Sequence, residues 1–149
     1  MTSAQFTSQF SDELNRGGVV GVDVSELMLT IERAALPRPF MLEAVRRLRK
    51  FGFETAALTN NWQTMPVGAL RPHFDVVIES CVEGVRKPEG AIYQILVERL
   101  DSKPACIAFL DDIGANLKTA RALGMTTIKV TDAPQALIEL SRTLGIDLD

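Results

Sequence analysis

Short apolar runs alternate with helical patterns from residue 54 to residue 145, and this alternation constrains the fold more than any other feature. The runs ETAALTNN, FDVVIESC, ACIAFLDD and TTIKV are typical of strands. The segments EGAIYQILVERL, NLKTARALG and APQALIELSRTLG have the length and periodicity of helices. Strands that alternate with helices build βαβ units around a parallel sheet. We therefore predict an α/β fold with a parallel sheet flanked by helices.

The first fifty residues are mainly helical, with one apolar interruption. The segment QFTSQFSDELNR indicates a helix that a Gly-Gly pair ends, and VVGVDV (19–24) has the composition of a short strand. SELMLTIERAAL and FMLEAVRRLRKFGF indicate two further helices. Asp23, with Glu26 three residues later, is a capping-box-like start for the first of these two helices. Pro39 suits the first turn of the second.

The bulk properties exclude several classes of function. The 149 residues are enough for one core and one domain, and a formal net charge of −3 gives no reason to expect nucleic acid as a partner. No stretch approaches the roughly 18 apolar residues of a membrane span, and the amino-terminal residues do not resemble a signal peptide. Cys81 and Cys106 fit no metal-ligand spacing, and their apolar surroundings predict buried, reduced thiols. We expect a cytoplasmic protein with neither a nucleic-acid nor a membrane partner.

Polar residues cluster at the carboxyl ends of the predicted strands, where ligands bind in open parallel sheets. Thr59 ends the first strand, and a hydroxyl with neighbouring N–H groups can hold a phosphoryl oxygen. Lys87 precedes Pro88 at the mouth of a helix, and the proline favours an extended Lys87 whose ammonium points into the crevice. The alternatives are that Thr59 only begins a turn after the strand and that Lys87 is an ordinary surface lysine in a loop.

Two adjacent carboxylates, Asp111 and Asp112, end the third strand, and Asn116 lies one helical turn beyond Asp112. Oxygen ligands at an open strand end suit Mg²⁺, which typically uses one or two carboxylates together with water and phosphate. The alternative is an N-cap for the following helix, because aspartate is a good N-cap. Two adjacent acids exceed what a cap requires, so we predict a metal site.

The order of these features resembles the haloacid dehalogenase (HAD) superfamily. LTNN is similar to the second motif of that family, RKPEGAIY to the third, and FLDDIGANLKTARALGMTTI to the fourth. HFDVVIESCVEGVRKPEGAIY and DDIGANLK further resemble the N-terminal phosphatase domain of soluble epoxide hydrolases and their bacterial relatives. The resemblance implies a HAD-like, Rossmann-type core domain over residues 39–149, preceded by a short helical cap remnant over residues 1–38.

The resemblance also implies a chemistry and a role for each residue. An aspartate nucleophile attacks a small phosphorylated substrate, and water hydrolyses the aspartyl intermediate. Thr59 and Asn60 bind the transferring group, Lys87 neutralises its charge, and Asp112, beside Asp111, holds Mg²⁺. The implied substrate contacts are Asn61, Trp62 and Asn116.

The first motif of the family, an apolar strand that ends in the nucleophile, has no clear match. Asp23 in VVGVDVSEL is a candidate nucleophile, but Ser25 stands where a second aspartate is usual. The alternative is that residues 22–53 are the tail of a helical cap that leads back into the core. The chain is then a catalytically inactive HAD-like module that serves as a scaffold or a binding and oligomerisation domain, or a half-enzyme that another chain completes.

Absence of the nucleophile strand has a structural consequence. In the family this strand is central, between the LTNN strand and the FLDD strand. Without it, two apolar strand edges face a gap, which is a hazard for aggregation. We expect the VVGVDV segment, a strand of a partner chain or a rearranged sheet to fill the gap. A homodimer or a larger homo-oligomer is therefore our expectation.

Overall fold

Helices and parallel strands alternate from residue 56 onward, as the sequence predicts. The computed structural model describes residues 3–34, 36–62, 65 and 67–148, so residues 1, 2, 35, 63, 64, 66 and 149 of the predicted domain ranges lie outside the described residues. The described elements are, in order, α1 (Ser3–Arg16), α2 (Val24–Ala34), α3 (Pro39–Lys50), β1 (Ala56–Thr59), β2 (Val76–Glu79), α4 (Ser80–Glu83), α5 (Gly90–Arg99), β3 (Ala108–Asp111), α6 (Gly114–Ala122), β4 (Thr126–Lys129) and α7 (Ala133–Leu144).

The strands form two parallel pairs within the described residues. Strand β1 pairs with β2, and the register places Thr59 opposite Glu79. Strand β3 pairs with β4, with Asp111 opposite Lys129. The described strands β1 and β3 belong to separate sheets, in line with the expected gap between the LTNN strand and the FLDD strand.

The side chains of β3 alternate between two cores and show that the strands are the middle of three layers. Phe109 packs on one face, in a core with α5 and α6. Ala108 and Leu110 pack on the other face, in a core with α3 and α7. The buried members of the first core are Ile78, Ile92, Tyr93, Leu96, Ile107, Phe109, Leu117, Ala120 and Met125. Those of the second are Ala44, Ile128, Ala136, Leu137, Leu140 and Leu148.

The segment 19–24, predicted as a strand, is not one in the described structure. It connects α1 to α2, and both of its ends are fixed by helix capping. The N–H of Val19 donates to the carbonyl of Leu14 at the end of α1, at 2.9 Å. The Asp23 carboxylate accepts the N–H groups of Ser25 and Glu26, at 2.8 and 3.1 Å, which confirms the predicted cap.

The cysteines differ in part from expectation. Both are free thiols, but Cys106 is exposed and Cys81 is half-buried. Cys106 ends a 3₁₀ turn, Pro104–Cys106, so β3 begins after it and the thiol is not part of the buried strand. The prediction of two buried thiols was therefore wrong.

Within the described ranges, none of the helices has both the length and the apolar character that crossing a bilayer requires.

Candidate functional site

Lys87 and Asp111 form a largely buried ion pair at the carboxyl end of β3. The Lys87 Nζ lies 2.8 Å from Asp111 Oδ2, and the two side chains are 14% and 4% exposed. The ammonium also lies 5.9 Å from the centre of the Phe109 ring. Lys87 enters from the loop before α5 and Asp111 ends β3, so the structure brings together two residues that the sequence predicts to meet.

Asp111 is held by three groups that favour its charged form. Besides Lys87, the N–H of Ile113 donates to Oδ1 at 2.8 Å, and the Asn116 amide donates to both oxygens at 3.0 and 3.1 Å. Burial alone raises the pKa of Asp111, but these hydrogen bonds and the Lys87 charge outweigh burial, and the pKa lies below its ordinary value. Asp111 is therefore an ionised carboxylate whose oxygens are already bound by the protein.

Tyr93 supports this arrangement from the core. Its hydroxyl donates to the main-chain carbonyl of Asn116 at 3.0 Å, and its ring packs edge-on against Phe109. Burial and the negative charge of Asp111 raise the pKa of Tyr93 to about 12. The tyrosine is thus neutral at physiological pH and fixes the first turn of α6, from which Asn116 reaches Asp111.

The main chain around Lys87 is held from two sides. The Asn60 side chain accepts the Lys87 N–H and donates to the Lys87 carbonyl, both at 2.9 Å. The Thr119 hydroxyl donates to the carbonyl of Pro88, also at 2.9 Å. Asn60, predicted to touch the transferring group, therefore uses its amide to position Lys87. Asn60 is a positioning residue in this structure, and substrate contact stays a prediction.

Asn61 is likewise occupied by protein contacts. Its amide donates to Glu79 Oε2 at 3.0 Å, and its N–H donates to the Ser80 hydroxyl at 2.9 Å. Arg71 forms an ion pair with the other Glu79 oxygen. These contacts fix the loop after β1 to the end of β2, directly behind Thr59.

Asp112 differs from Asp111, because its side chain is exposed. The Lys129 ammonium binds the main-chain carbonyl of Asp112, and no described side chain or N–H group binds its carboxylate. The N-cap position of α6 is Ile113, so the alternative that Asp112 caps this helix is wrong. A single exposed carboxylate at a strand end fits Mg²⁺, which keeps several waters, better than a metal that requires a protein cage. The described residues contain no cluster of three or more histidine, cysteine or acidic side chains that could form such a cage.

Thr59, Trp62 and Asp23 are the remaining residues that the sequence predicts to belong to the site. The Thr59 hydroxyl, at the end of β1, is half-buried and makes no hydrogen bond within the described ranges. Trp62 lies two residues beyond Asn60 in the same loop, is half-buried, and accepts the N–H of Met65 through its carbonyl. Asp23 lies at the start of α2, and in the described structure no contact joins it to Lys87 or Asp111.

Tyr93, Thr119, Glu79 and Ser80 are supporting residues that the sequence analysis missed. Tyr93 and Thr119 lie in predicted helices and reach the site only because those helices pack behind β3. Glu79 and Ser80 follow the apolar run of β2, and the rule that polar residues at strand ends form the site would have found them.

A family profile described as haloacid dehalogenase-like hydrolase matches residues 5–124. Acyl-CoA dehydrogenase family member 10 of Mus musculus is 38% identical over 154 residues, which cover 99% of this chain and 14% of that protein. Bifunctional epoxide hydrolase 2 of Sus scrofa is 44% identical over 117 residues, 72% of this chain and 21% of that protein. The chain therefore spans only a small part of the length of these relatives. Further relatives include proteins named as phosphatases.

Among solved structures, the chain is similar to a HAD-family enzyme of Bacteroides thetaiotaomicron, an aspartate-to-alanine mutant in complex with magnesium and inorganic phosphate. The TM-score is 0.68 at 19% identity, and the match covers 93% of this chain and 73% of the other. At this identity the likeness concerns the fold, and it confirms the predicted α/β class.

Proposed function

This chain belongs to the haloacid dehalogenase-like hydrolases, and from that premise we propose that it carries a Mg²⁺-dependent phosphatase-type site for small phosphorylated substrates. The observation that supports the proposal is the buried ion pair of Lys87 with Asp111 at the carboxyl end of β3, which Asn60 links to the loop directly after Thr59. Lys87 has one fixed partner, Asp111, and its ammonium still has further N–H donors. A phosphoryl oxygen beside it would receive a charge-assisted hydrogen bond.

Thr59 is the second group suited to a phosphoryl oxygen. Its hydroxyl makes no hydrogen bond within the described structure, and the loop behind it is fixed by Asn61 and Ser80. A donor that is free and held in place costs little reorganisation when substrate binds. Thr59 and Lys87 would therefore hold the phosphoryl group from the two sides of the opening between β1 and β3.

Asp112 is the residue that would hold Mg²⁺, with Asp111 adding negative charge beside it. When bound, the ion supplies electrostatic stabilisation of the phosphate oxygens. Asp111 contributes chiefly by orienting Lys87, because its own oxygens are bound by Lys87, Ile113 and Asn116. This division of roles supports the expectation that Asp112 is the direct ligand.

The second candidate function is a non-catalytic module that binds Mg²⁺ and phosphate or serves as a scaffold. The observation in its favour is the position of Asp23, whose carboxylate caps α2 instead of facing Lys87. A covalent mechanism requires a nucleophile within reach of the phosphorus atom.

We propose that residues 1–38 are a cap remnant and residues 39–149 the core, and that the protein acts in the cytoplasm.

Hydrolysis of a generic aryl phosphate, measured with Mg²⁺ and with a chelator, tests the proposal. We expect hydrolysis that requires Mg²⁺ and is lost in Asp112→Asn. Asp12→Asn, which removes an exposed carboxylate in α1, is the matched control and is expected to keep the activity. Asp23→Asn tests the nucleophile: loss of activity there supports Asp23, and full activity excludes it.

The melting temperature separates the two candidate functions. A Mg²⁺-dependent rise without hydrolysis, absent in Asp112→Asn, favours the binding module, because a ligand that binds only the folded state raises its stability. If the protein shows no hydrolysis and its melting temperature does not rise with Mg²⁺, both the phosphatase and the metal site are contradicted. That result would favour the scaffold.

A further inference from the structure

The two strand pairs are not joined by main-chain hydrogen bonds in the described part of the chain. Leu58 of β1 and Phe109 of β3 belong to one core, beneath the same helices α5 and α6. Their carboxyl ends point the same way, because Lys87 reaches both through its contacts with Asn60 and Asp111. The opening between β1 and β3 is thus bounded by two strand edges that run in the same direction.

Alternate residues along each edge face this opening with their main-chain groups. The Thr55 carbonyl accepts N–H groups of the chain entering β2, at 3.0 and 3.1 Å, and the Asp111 carbonyl accepts the N–H of Val130 beside β4, at 3.0 Å. Because main-chain groups alternate in direction along a strand, the neighbouring residues face the other way. These are Ala56 and Leu58 in β1, and Ala108 and Leu110 in β3. Such edges are templates for another strand.

Residues 19–22, with the sequence VVGV, form an apolar segment without a strand partner in the described structure. Val19, Val20 and Val22 are 45%, 79% and 41% exposed. Their β-branched side chains favour a strand, and an uninterrupted apolar run suits a central strand that is buried on both faces. The segment has four residues, the same length as β1 and β3.

Within one copy the segment is anchored outside the sheet, by the end of α1 and by the Asp23 cap of α2. We propose that β1 and β3 form a strand-accepting slot, and that residues 19–22 of a second copy of this chain fill it. Each copy gives its segment to the other, so the exchange closes as a twofold dimer. In this dimer the segment pairs with β1 on one side and β3 on the other.

The Lys87 ammonium can bind this occupant at one end of the slot. A segment parallel to β1 and β3 places its carboxyl end where those strands end, and Asp23 follows directly. Lys87 lies at this end, paired with Asp111, and the remaining N–H donors of its ammonium can receive the incoming carboxylate. The site would then be complete only in the dimer. A catalytic role for Asp23 rests on the proposed function, whereas the assembly does not.

Molar mass and amide hydrogen exchange of the full chain, measured over a range of concentrations, test the proposal. We expect a dimer whose formation protects the amides of Leu58 and Leu110 together with those of Val20 and Val22. Val20→Lys places a charge in the centre of the slot and is expected to weaken the dimer at least about tenfold. Val82→Lys is the matched control, because Val82 is also highly exposed, at 70%, and lies in α4.

The outcomes separate strand exchange from other causes of association. Dimer loss and loss of protection in Val20→Lys, with both kept in Val82→Lys and in the β-branched variant Val20→Thr, support the slot. A monomer at all concentrations overturns it, and so does a dimer that the two lysine variants weaken equally. Protection of Leu58 and Leu110 that does not depend on concentration also overturns it, since the segment would then occupy its own slot. Circular dichroism verifies that each variant folds.

Discussion

Removal of the Lys87 ammonium is the sharpest test of how the site is held together. Lys87→Met keeps the length of the side chain and its contact with Phe109 but leaves the Asp111 carboxylate buried without its cation. Asp111 retains the N–H of Ile113 and the amide of Asn116, so part of its stabilisation survives. We expect a folded protein of lower stability at neutral pH.

The magnitude follows from the distance and the burial. At the 2.8 Å between Nζ and Oδ2, Coulomb attraction amounts to about 6 kcal/mol for an effective dielectric constant of about 20. The cost of bringing Lys87 out of water offsets a large part of this, and breaking a buried pair costs about 3–5 kcal/mol in general. Because two neutral donors still bind Asp111, we expect a loss of about 3 kcal/mol, near the lower end of that range.

The loss of stability in Lys87→Met should become smaller as the pH falls. In the wild type the pKa of Asp111 is below its ordinary value of 3.8, so its stabilising contribution is present above pH 3.8 and disappears as the pH falls through the lowered pKa. Lys87→Met removes a hydrogen bond and a charge that lower the pKa of Asp111, so this pKa should be higher than in the wild type, and protonation should relieve the buried charge as the pH falls. The stability difference between wild type and variant should therefore shrink from pH 7 towards pH 4.

Urea unfolding followed by circular dichroism at pH 7 and pH 4 measures both quantities. Lys118→Met is the matched control, because Lys118 is exposed on α6 and has no hydrogen bond or ion pair in the described structure. It should change the free energy of unfolding by less than about 0.5 kcal/mol. Equal, small losses in the two variants, or a loss in Lys87→Met that is the same at both pH values, would refute the reasoning.

Three further predictions follow from the same contacts. Tyr93 is the only tyrosine, so tyrosinate absorbance should report its pKa of about 12, and Asp111→Asn should lower that pKa by removing a negative charge; an unchanged value would contradict the coupling. Since the ordinary value is 10.0, the free energy of unfolding should fall as the pH rises from 10 to 12. Asn60→Ala removes both hydrogen bonds to the Lys87 main chain and should cost about 1–3 kcal/mol in urea unfolding, whereas Asn60→Asp keeps the acceptor and should cost less. Thr119→Val should cost about 1 kcal/mol, and a change no larger than that of Thr143→Val, whose hydroxyl bonds only within α7, would exclude a role for Thr119 in holding Pro88.

The order of elements and the meeting of Lys87 with Asp111 could be predicted, because both follow from local patterns. Apolar runs and helical periodicity define β1 to β4 and the helices between them. Thr59 and Asp111 then lie at the carboxyl ends of β1 and β3, as the strand pattern predicts. The absence of a nucleophile strand predicted the gap between β1 and β3.

The roles of individual polar side chains could not be predicted in the same way. Asn60 and Asn116 were expected to touch substrate, but each uses its amide on another site residue, Lys87 or Asp111. Such contacts depend on side-chain directions, which the spacing of residues in the sequence does not reveal.

The conformation of the segment 19–24 could not be predicted from its sequence either. Its composition favours a strand, yet a strand requires a partner edge, and within one copy the caps of α1 and α2 hold the segment elsewhere.

The division of the strands into two pairs has a consequence for how the chain folds. Each pair joins segments that are near one another in sequence, so β1–β2 and β3–β4 can form early and independently. The two strand pairs are coupled by the shared core around Phe109 and by the contacts that Lys87 makes with Asn60 and with Asp111. One residue, Lys87, thus contributes to the cooperativity of the whole chain. Removal of its ammonium leaves the shared core and the main-chain link to Asn60 in place, so the two pairs stay coupled, but less strongly.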